Sequence, residues 1–310
     1  MDAPLVSIAL CTFNGAQYLY EQLDTLVKQT YPNLEIVAVD DGSADDTAAI
    51  LQEYAGKYPF IKLYQNAQNL GYAKNFGRAI SLCTGAYIAL ADQDDSWELD
   101  KIELLVNKIG DNLLIYHDSE FVDAKGNSLN KKLSDLRNFY AGNDPRVFLM
   151  ENCVSGHALM FNRGLLNHFT GFNATIFHDR WLAYIACNNG SIVYLTNVLV
   201  KYRQHTQANT NILRQERGEV KKKESLLTLE RQLKAMEAFA AYPSNKYPAY
   251  SQKLLSLMQL RMQNYFSLGL AWFVFKNRHS LLFIFKKSPI SKLNIIAKFA
   301  WGYKLKQLLN

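Results

Sequence analysis

The 310-residue chain weighs 35.4 kDa, enough for one large α/β domain and an appendage. With 49% hydrophobic and 20% charged residues it is not generally disordered, and its apolar stretches fall short of the ~20 residues that span a bilayer. Net charge is +6, but no Asp or Glu follows Glu237, so residues 238–310 carry +11 and the rest −5. Met1–Pro4 runs straight into a strand-like segment, so a standard export signal is not expected. Cys11, Cys83, Cys153 and Cys187 form no CxxC; they are expected to be reduced packing residues, not a zinc site or a disulfide framework.

Residues 5–11 (LVSIALC) suit a buried parallel strand, and residues 16–29 place Leu19, Leu23 and Leu26 at helical spacing. A second strand over 35–39 ends in Asp40-Asp41-Gly42-Ser43, where Ser43 and Asp46 have the spacing of a capping box. A helix to about residue 58, a strand over 61–65 and a helix over 73–82 follow. A fourth strand over 87–91 runs into Asp92-Gln93-Asp94-Asp95. This alternation predicts an α/β fold with a mostly parallel sheet flanked by helices. Further on, the pattern predicts a helix over 99–108, a strand over 113–117 and a loop over 128–144. Residues 155–161 then suit a strand, 163–169 a short helix and 179–187 a helix. Two further strands are expected near 192–195 and 198–204. The polar stretch 206–225 suits a linker, and amphipathic helices are expected from about 224 onward.

Open parallel sheets bind ligands beyond the carboxyl ends of their strands. Here those ends carry Thr12-Phe13-Asn14, Asp40-Asp41 and Asp92-Gln93-Asp94-Asp95. Neither GxGxxG nor GxxxxGK[ST] occurs, so a glycine cradle is not what would hold phosphates. Carboxylates holding Mg²⁺ or Mn²⁺ would supply the counter-charge instead. The bland alternative is that these acids form turns and cap helices.

The opening stretch VSIALCTFNGAQYLYEQLDTLVKQTYPNLEIVAVDDGSADDT resembles that of family 2 glycosyltransferases of the GT-A fold, particularly bacterial rhamnosyltransferase-like members. Asn69-Leu70-Gly71-Tyr72-Ala73-Lys74-Asn75 resembles their NxGxxxN segment, and Ala91–Trp97 their DxDD metal motif. Phe177-His178-Asp179-Arg180-Trp181 resembles the segment carrying the base, and Tyr202-Arg203-Gln204-His205 an Arg/His motif. The likeness covers about residues 4–206.

That resemblance implies a catalytic domain over 1–206 and a basic, amphipathic helical region over 207–310. It implies that Asp41 meets the pyrimidine base, with Thr12, Asn14 and Asn75 near the nucleotide. Asp92 is expected near the ribose or sugar, Asp94 as metal ligand and Asp95 as its support or a sugar contact. Asp179 is expected to be the general base, although Asp118, after the 113–117 strand, competes for that role. Arg203 and His205 are expected on the diphosphate, with His205 an alternative metal ligand. Gly156 is expected to line the sugar pocket, His157 to line it or pack the core, and Trp97 and Trp181 to stack on a sugar or pack the core. Cys11 stands where relatives often carry Pro or Thr, and is given no role beyond packing.

The expected reaction is inverting, Mn²⁺- or Mg²⁺-dependent transfer from a dTDP- or UDP-sugar to a lipid-linked glycan acceptor. Its setting would be O-antigen, lipopolysaccharide or capsule synthesis. The basic aromatic tail is expected to hold a cytoplasmic enzyme on the anionic inner face of the cell membrane. Nucleic acid is not an expected partner. The alternatives are a nucleotidyltransferase of related fold and an inactive membrane-associated scaffold. The first would call for a basic glycine-rich loop near the first strand, whereas residues 12–17 hold one Gly and no Lys or Arg, and the second sits poorly with Asp92, Asp94 and Asp179 all present.

Overall fold

A computed structural model of the chain describes residues 3–173, 175–205, 213 and 223–309. The chain divides into two units, the first comprising residues 1–135, 139–143 and 154–205, and the second residues 136–138, 144–153 and 206–310.

The first unit is built on a nine-stranded sheet. Strands β1 (Val6–Thr12), β2 (Leu34–Asp40), β3 (Ile61–Gln65) and β4 (Tyr87–Asp92) lie parallel in the order β3-β2-β1-β4. β1 and β2 are buried almost throughout, as their unbroken apolar runs require of strands covered on both faces. Helix α1 (Ala16–Val27) buries Leu19, Leu23 and Leu26, and α3 (Tyr72–Leu82) buries Phe76, Ala79 and Ile80.

Beyond β4 the pattern changes. β8 (Leu159–Asn162) is antiparallel to both β4 and β6 (Leu114–Val122), and β9 (Ile192–Arg203) is parallel to β6. β5 (Ser96–Trp97) and β7 (Ser128–Lys132) pair antiparallel with β9 and β6. The sheet is therefore mixed, with its parallel character concentrated in β1 to β4.

Several local expectations are corrected. The expected loop over 128–144 contains β7 and a helical turn at Leu133–Leu136. The expected strand over 155–161 opens as a 3-10 turn, Gly156–Ala158, before β8 begins. The two strands near 192–195 and 198–204 are one strand, β9, whose register against β6 slips between His117 and Ser119. Ser43 forms no capping box: its hydroxyl donates to Asp40 Oδ1 at 2.5 Å, and α2 (Thr47–Lys57) opens on Thr47, whose N–H and hydroxyl both donate to Asp45.

At the amino ends of the strands, buried Glu35 accepts from Ser7 Oγ (2.5 Å), Lys62 Nζ (2.5 Å) and both the N–H and hydroxyl of Thr84. Burial alone would raise this carboxyl, yet these donors hold it down to about 2.

The second unit is helical, with segments Lys223–Ala240, Pro248–Gln263, Leu268–Lys276, Arg278–Leu281, Pro289–Phe299 and Tyr303–Leu309. The expected linker over 206–225 lies largely outside the described residues. Phe239, Leu254, Leu270, Val274 and Leu281 form its core. Arg261 is buried, with no carboxylate on it among the described residues; its guanidinium donates to the carbonyls of Trp301 (3.0 Å) and Lys298 (2.7 Å) at the end of Pro289–Phe299, where the helix dipole favours a cation. Gly302 admits no side chain, because a Cβ there would lie 1.9 Å from the Asn264 carbonyl oxygen. Tyr265, Phe266, Leu268, Trp272 and Trp301 stay exposed. Among the described residues no helix is long and apolar enough to cross a membrane.

Candidate active site

Parallel register gathers the strand ends. Thr12 stands opposite Asp40, and Cys11 opposite Asp92, so the carboxyl ends of β2, β1 and β4 form one rim. The amide of Gln93 joins the β1 and β4 exits: it accepts from Phe13 N–H at 2.7 Å and donates to Phe13 C=O at 3.0 Å. Gly15 leaves room for it, since a Cβ there would lie 2.3 Å from the Gln93 amide carbon. Asn14, at φ +48°, accepts from Ala44 N–H and so ties the same turn to the 42–45 loop.

On the β1–β2–β3 side, every strand-end carboxylate is already paired. Asp40 accepts from Thr12 Oγ1 (3.0 Å), from Ser43 and from Gln65. Asp41 is buried and accepts from Asn66 Nδ2 (2.5 Å), Leu70 N–H (2.8 Å) and Gly71 N–H (2.9 Å). Asn75 donates to Val39 C=O and accepts from Asn66. Asp41 and Asn75 thus shape the 66–71 loop from inside, and Asn66, which links them, was not singled out from the sequence.

The β4 end is different. Asp95 is fully buried; Oδ1 accepts from Arg203 N–H at 3.0 Å, while Oδ2 has no hydrogen-bond partner. Nδ1 of His157 lies 3.5 Å from Asp95 and 3.9 Å from Asp92. The ligand atoms of Asp92, Asp95 and His157 all fall within 4.8 Å of one another. Desolvation, then Asp94 and Asp179, push the Asp92 carboxyl up to about 7, although its side chain keeps 37% of its exposure. Burial, then Asp94 and Asp92, raise Asp95 as well. Burial and the nearby Lys101 lower His157 to about 3, so its imidazole is neutral. Lys101 is buried beneath this cluster, 3.1 Å from the centre of the Trp97 ring, and donates to His157 C=O at 2.6 Å.

Asp94 meets His205 Nε2 at 2.7 Å, and the His205 ring packs against Tyr18 at 5.0 Å. Arg203 is a strut. It donates to the carbonyls of Asp94 (2.8 Å) and Ala124 (3.3 Å) and to Glu21 (2.7 Å), with its guanidinium over Tyr18. It thereby fixes the 94–95 turn, a contact geometry that differs from the expected hold on a diphosphate. Tyr18, Glu21 and Lys101 carried no sequence signal beyond their places on amphipathic helices.

Asp179 lies in the first turn of α6 (His178–Asn189, counting Lys101–Ile109 as α4 and Leu133–Leu136 as α5). It is half-buried, and its charge acts on both Asp92 and Tyr72. Asp118, the other candidate for the base, is buried, and its oxygens accept from Ser119 N–H, Ser134 N–H and Ser134 Oγ. His178 stacks on Phe76 at 4.5 Å and fills the space over Gly156, where a Cβ would lie 2.5 Å from its Nε2. Trp97 and Trp181 are buried packing residues; Trp181 Nε1 donates to Gly171 C=O.

The donor set fits a divalent cation. Ser119 Oγ meets His157 Nε2 at 2.9 Å, which leaves Nδ1 facing the carboxylates, and Asp95 Oδ2 is an orphaned buried acceptor. Carboxylate oxygen with imidazole is a chemistry Mn²⁺ accepts more readily than Mg²⁺.

The family model described as Glycosyl transferase family 2 matches residues 7–170. An uncharacterised glycosyltransferase of Rickettsia prowazekii is 32% identical over 218 residues, 67% of each chain. Among solved structures, Staphylococcus aureus TarS in complex with UDP-GlcNAc superposes with a TM-score of 0.58 at 18% identity, over 89% of this chain and 72% of that one. A Pyrobaculum calidifontis mannosyltransferase in complex with GDP-Man and Mn²⁺ reaches 0.55 at 17% identity, over 99% and 85%. At such identities the structural likeness speaks for the fold, here GT-A.

Proposed function

The chain belongs to glycosyltransferase family 2, and on that premise we propose inverting transfer of a sugar from a UDP- or dTDP-sugar to a hydroxyl of a lipid-linked glycan. The observation that carries this reading is the crowding of Asp92, Asp94 and Asp95 at one strand end, beside two histidines and within electrostatic reach of Asp179. Structural neighbours crystallised with UDP-GlcNAc and GDP-Man support the nucleotide-sugar class, and the second also holds Mn²⁺.

In this reading Asp94 and His205, both partly exposed and in contact, would hold the cation, with the deeper Asp92–Asp95–His157 group behind them. When bound there, a divalent cation would stabilise negative charge on the diphosphate leaving group. Asp179 takes the acceptor proton; its charge is felt at the raised Asp92, and its rival Asp118 is held by Ser119 and Ser134. Thr12, Asn14, Asp41 and Asn75 form the nucleotide side, with Asp41 and Asn75 setting the 66–71 loop on which the base would rest. Arg203 acts by fixing Asp94 and Asp95, and Gly156 by admitting His178.

The pathway assigned is bacterial surface polysaccharide synthesis, with the chain peripheral on the cytoplasmic face of the membrane. The support is the second unit: its residues 238–310 are acid-free, and they expose Trp272 and Trp301 near basic residues.

Calorimetry with UDP and dTDP, with and without Mn²⁺ or Mg²⁺, tests the catalytic reading. Binding that requires the cation is expected; binding indifferent to it, or no binding of either nucleotide, overturns the assignment.

A further inference from the structure

Helix α1 turns one edge toward the acidic strand end. Tyr18, Glu21 and Gln22 stand at positions i, i+3 and i+4, the spacing that puts side chains on one face of a helix. Each of them reaches the β4 exit or the end of β9. Gln22 is fully buried and donates its amide to Asp92 C=O at 2.9 Å. Glu21 accepts from Arg203 at 2.7 Å. The Tyr18 ring carries the Arg203 guanidinium 4.8 Å from its centre, and the His205 ring 5.0 Å away at a tilt of 46°.

This face is fastened from behind. Gly15 N–H donates to Thr47 Oγ1 at 2.8 Å and Ala16 N–H to Asp45 Oδ2 at 3.1 Å, while Leu19, Leu23 and Leu26 seat the helix in the core. Arg203 donates onward to Asp94 C=O and, from its backbone, to Asp95 Oδ1. A closed circuit of contacts therefore runs from α1 through Arg203 to the 94–95 turn, and from Asp94 through His205 back to Tyr18.

Within that circuit His205 differs from the other histidine at this strand end. A metal-ligating imidazole is ordinarily oriented by a hydrogen bond at its second ring nitrogen, as Ser119 meets His157. His205 Nε2 meets Asp94, and among the described residues its Nδ1 makes no hydrogen bond. The contact that fixes the ring plane is the Tyr18 ring, itself held by the guanidinium that Glu21 pairs.

We propose that Tyr18 is a positioning residue for the cation site: its ring sets the plane of His205 and keeps Nε2 aimed at Asp94. The proposal rests on the reading in which Asp94 and His205 hold the cation, and adds helix α1 as the wall that orients the histidine. An imidazole already in place gives up less rotational freedom when the ion arrives, so the ring contributes to affinity without touching the ion. The aromatic face acts here, and the hydroxyl does not.

The test titrates Mn²⁺ alone into the full chain and follows the electron paramagnetic resonance signal of the free aqueous ion. Tyr18→Ala is expected to weaken Mn²⁺ binding by roughly 10–100-fold, and Tyr18→Phe to restore it to within about twofold of the unmutated chain. Tyr20→Ala removes an exposed aromatic ring from the same helix, one that bonds Glu53, and is expected to leave the affinity unchanged. The double variant Tyr18→Ala/His205→Ala is expected to bind no more weakly than His205→Ala, because a residue that acts through another adds nothing once that other is gone. Should Tyr18→Ala fail to fold, Tyr18→Leu keeps the bulk without the ring and carries the same expectation. Full affinity in the ring-deleted variant, equal losses in Tyr18→Phe and Tyr18→Ala, or losses that add in the double variant would each overturn the proposal. No Mn²⁺ binding by the unmutated chain, or undiminished binding by His205→Ala, would sink the cation reading itself. That result is distinct from a loss at His205 with none at Tyr18, which removes the positioning role alone.

Discussion

Two clusters of carboxylates share one rim and differ in how they are paired. At the β2 end Asp40 and Asp41 meet hydroxyls, amides and backbone N–H groups that satisfy their oxygens. At the β4 end Asp95 keeps an orphaned oxygen and Asp92 is pushed up to about 7. Satisfied acids hold a shape. Crowded, unsatisfied acids store repulsion that a bound cation relieves. In the proposed reading the first cluster is scaffold for a ligand, and the second is the place where charge is handled.

The comparison breaks most visibly at Asp179, whose charge reaches Asp92 in the crowded cluster. Asp179→Asn should lower turnover by roughly 10²–10⁴ while leaving donor affinity in place, as single-turnover assays and calorimetry would show. Asp118→Asn, in the satisfied class, should keep turnover and lose stability instead. The reverse pattern would move the base to Asp118.

Asp94→Asn comes next. Nucleotide affinity in the presence of Mn²⁺ should fall by at least the roughly 10–100-fold seen when even the outer partners of metal ligands are lost. The melting temperature should no longer rise when Mn²⁺ and nucleotide are added together. A variant that retains cation-dependent binding would transfer the ligand role to Asp92, Asp95 and His157.

On the satisfied side, Asp41→Asn turns an amide N–H toward backbone donors at residues 70 and 71. About 1–3 kcal/mol of stability should be lost in urea melts, with the cation response of the protein intact. A smaller effect is expected at Glu35, a paired carboxylate at the opposite ends of the same strands. Its folded value, about 2, lies below the unfolded 4.5, so its contribution is present above pH 4.5 and is lost as pH falls toward 2. Glu35→Gln should therefore cost about 1–2 kcal/mol at neutral pH, discounted because Lys62 is half exposed, and the gap to the unmutated chain should close between pH 4.5 and 2. A gap that stays constant with pH would mean that the charge on Glu35 contributes nothing.

The rim itself was legible in the sequence. β1, β2 and β4 announce themselves as short apolar runs, and the polar residues that end them must lie at one edge once the strands are parallel. What was not legible comes from pairings distant in sequence. Lys101 reaches His157 only because β8 inserts antiparallel between β4 and β6, and nothing near either residue signals that insertion. The helix carrying Lys101 reads as an ordinary amphipathic segment, in which a lysine is expected on the wet face. Asp41 was expected to face a ligand because strand ends bind ligands; that its oxygens close on the 66–71 loop depends on the path of that loop, which the pattern leaves open. Residues 128–144 read as loop because β7 is polar and exposed on both faces, so it lacks the alternation that marks a half-buried strand.

Gln93 sits between acids and bonds to Phe13 as a peptide group would, giving one N–H and taking one. An amide has no proton to lose in the range where its neighbours titrate, so the spacing between the β1 and β4 exits stays fixed while the charge beside it changes. A glutamate of the same size would face the Phe13 carbonyl with a second acceptor and push the two exits apart. The uncharged position in an acidic run thus works as a gauge block: it holds the gap constant whatever the charge on the acids beside it.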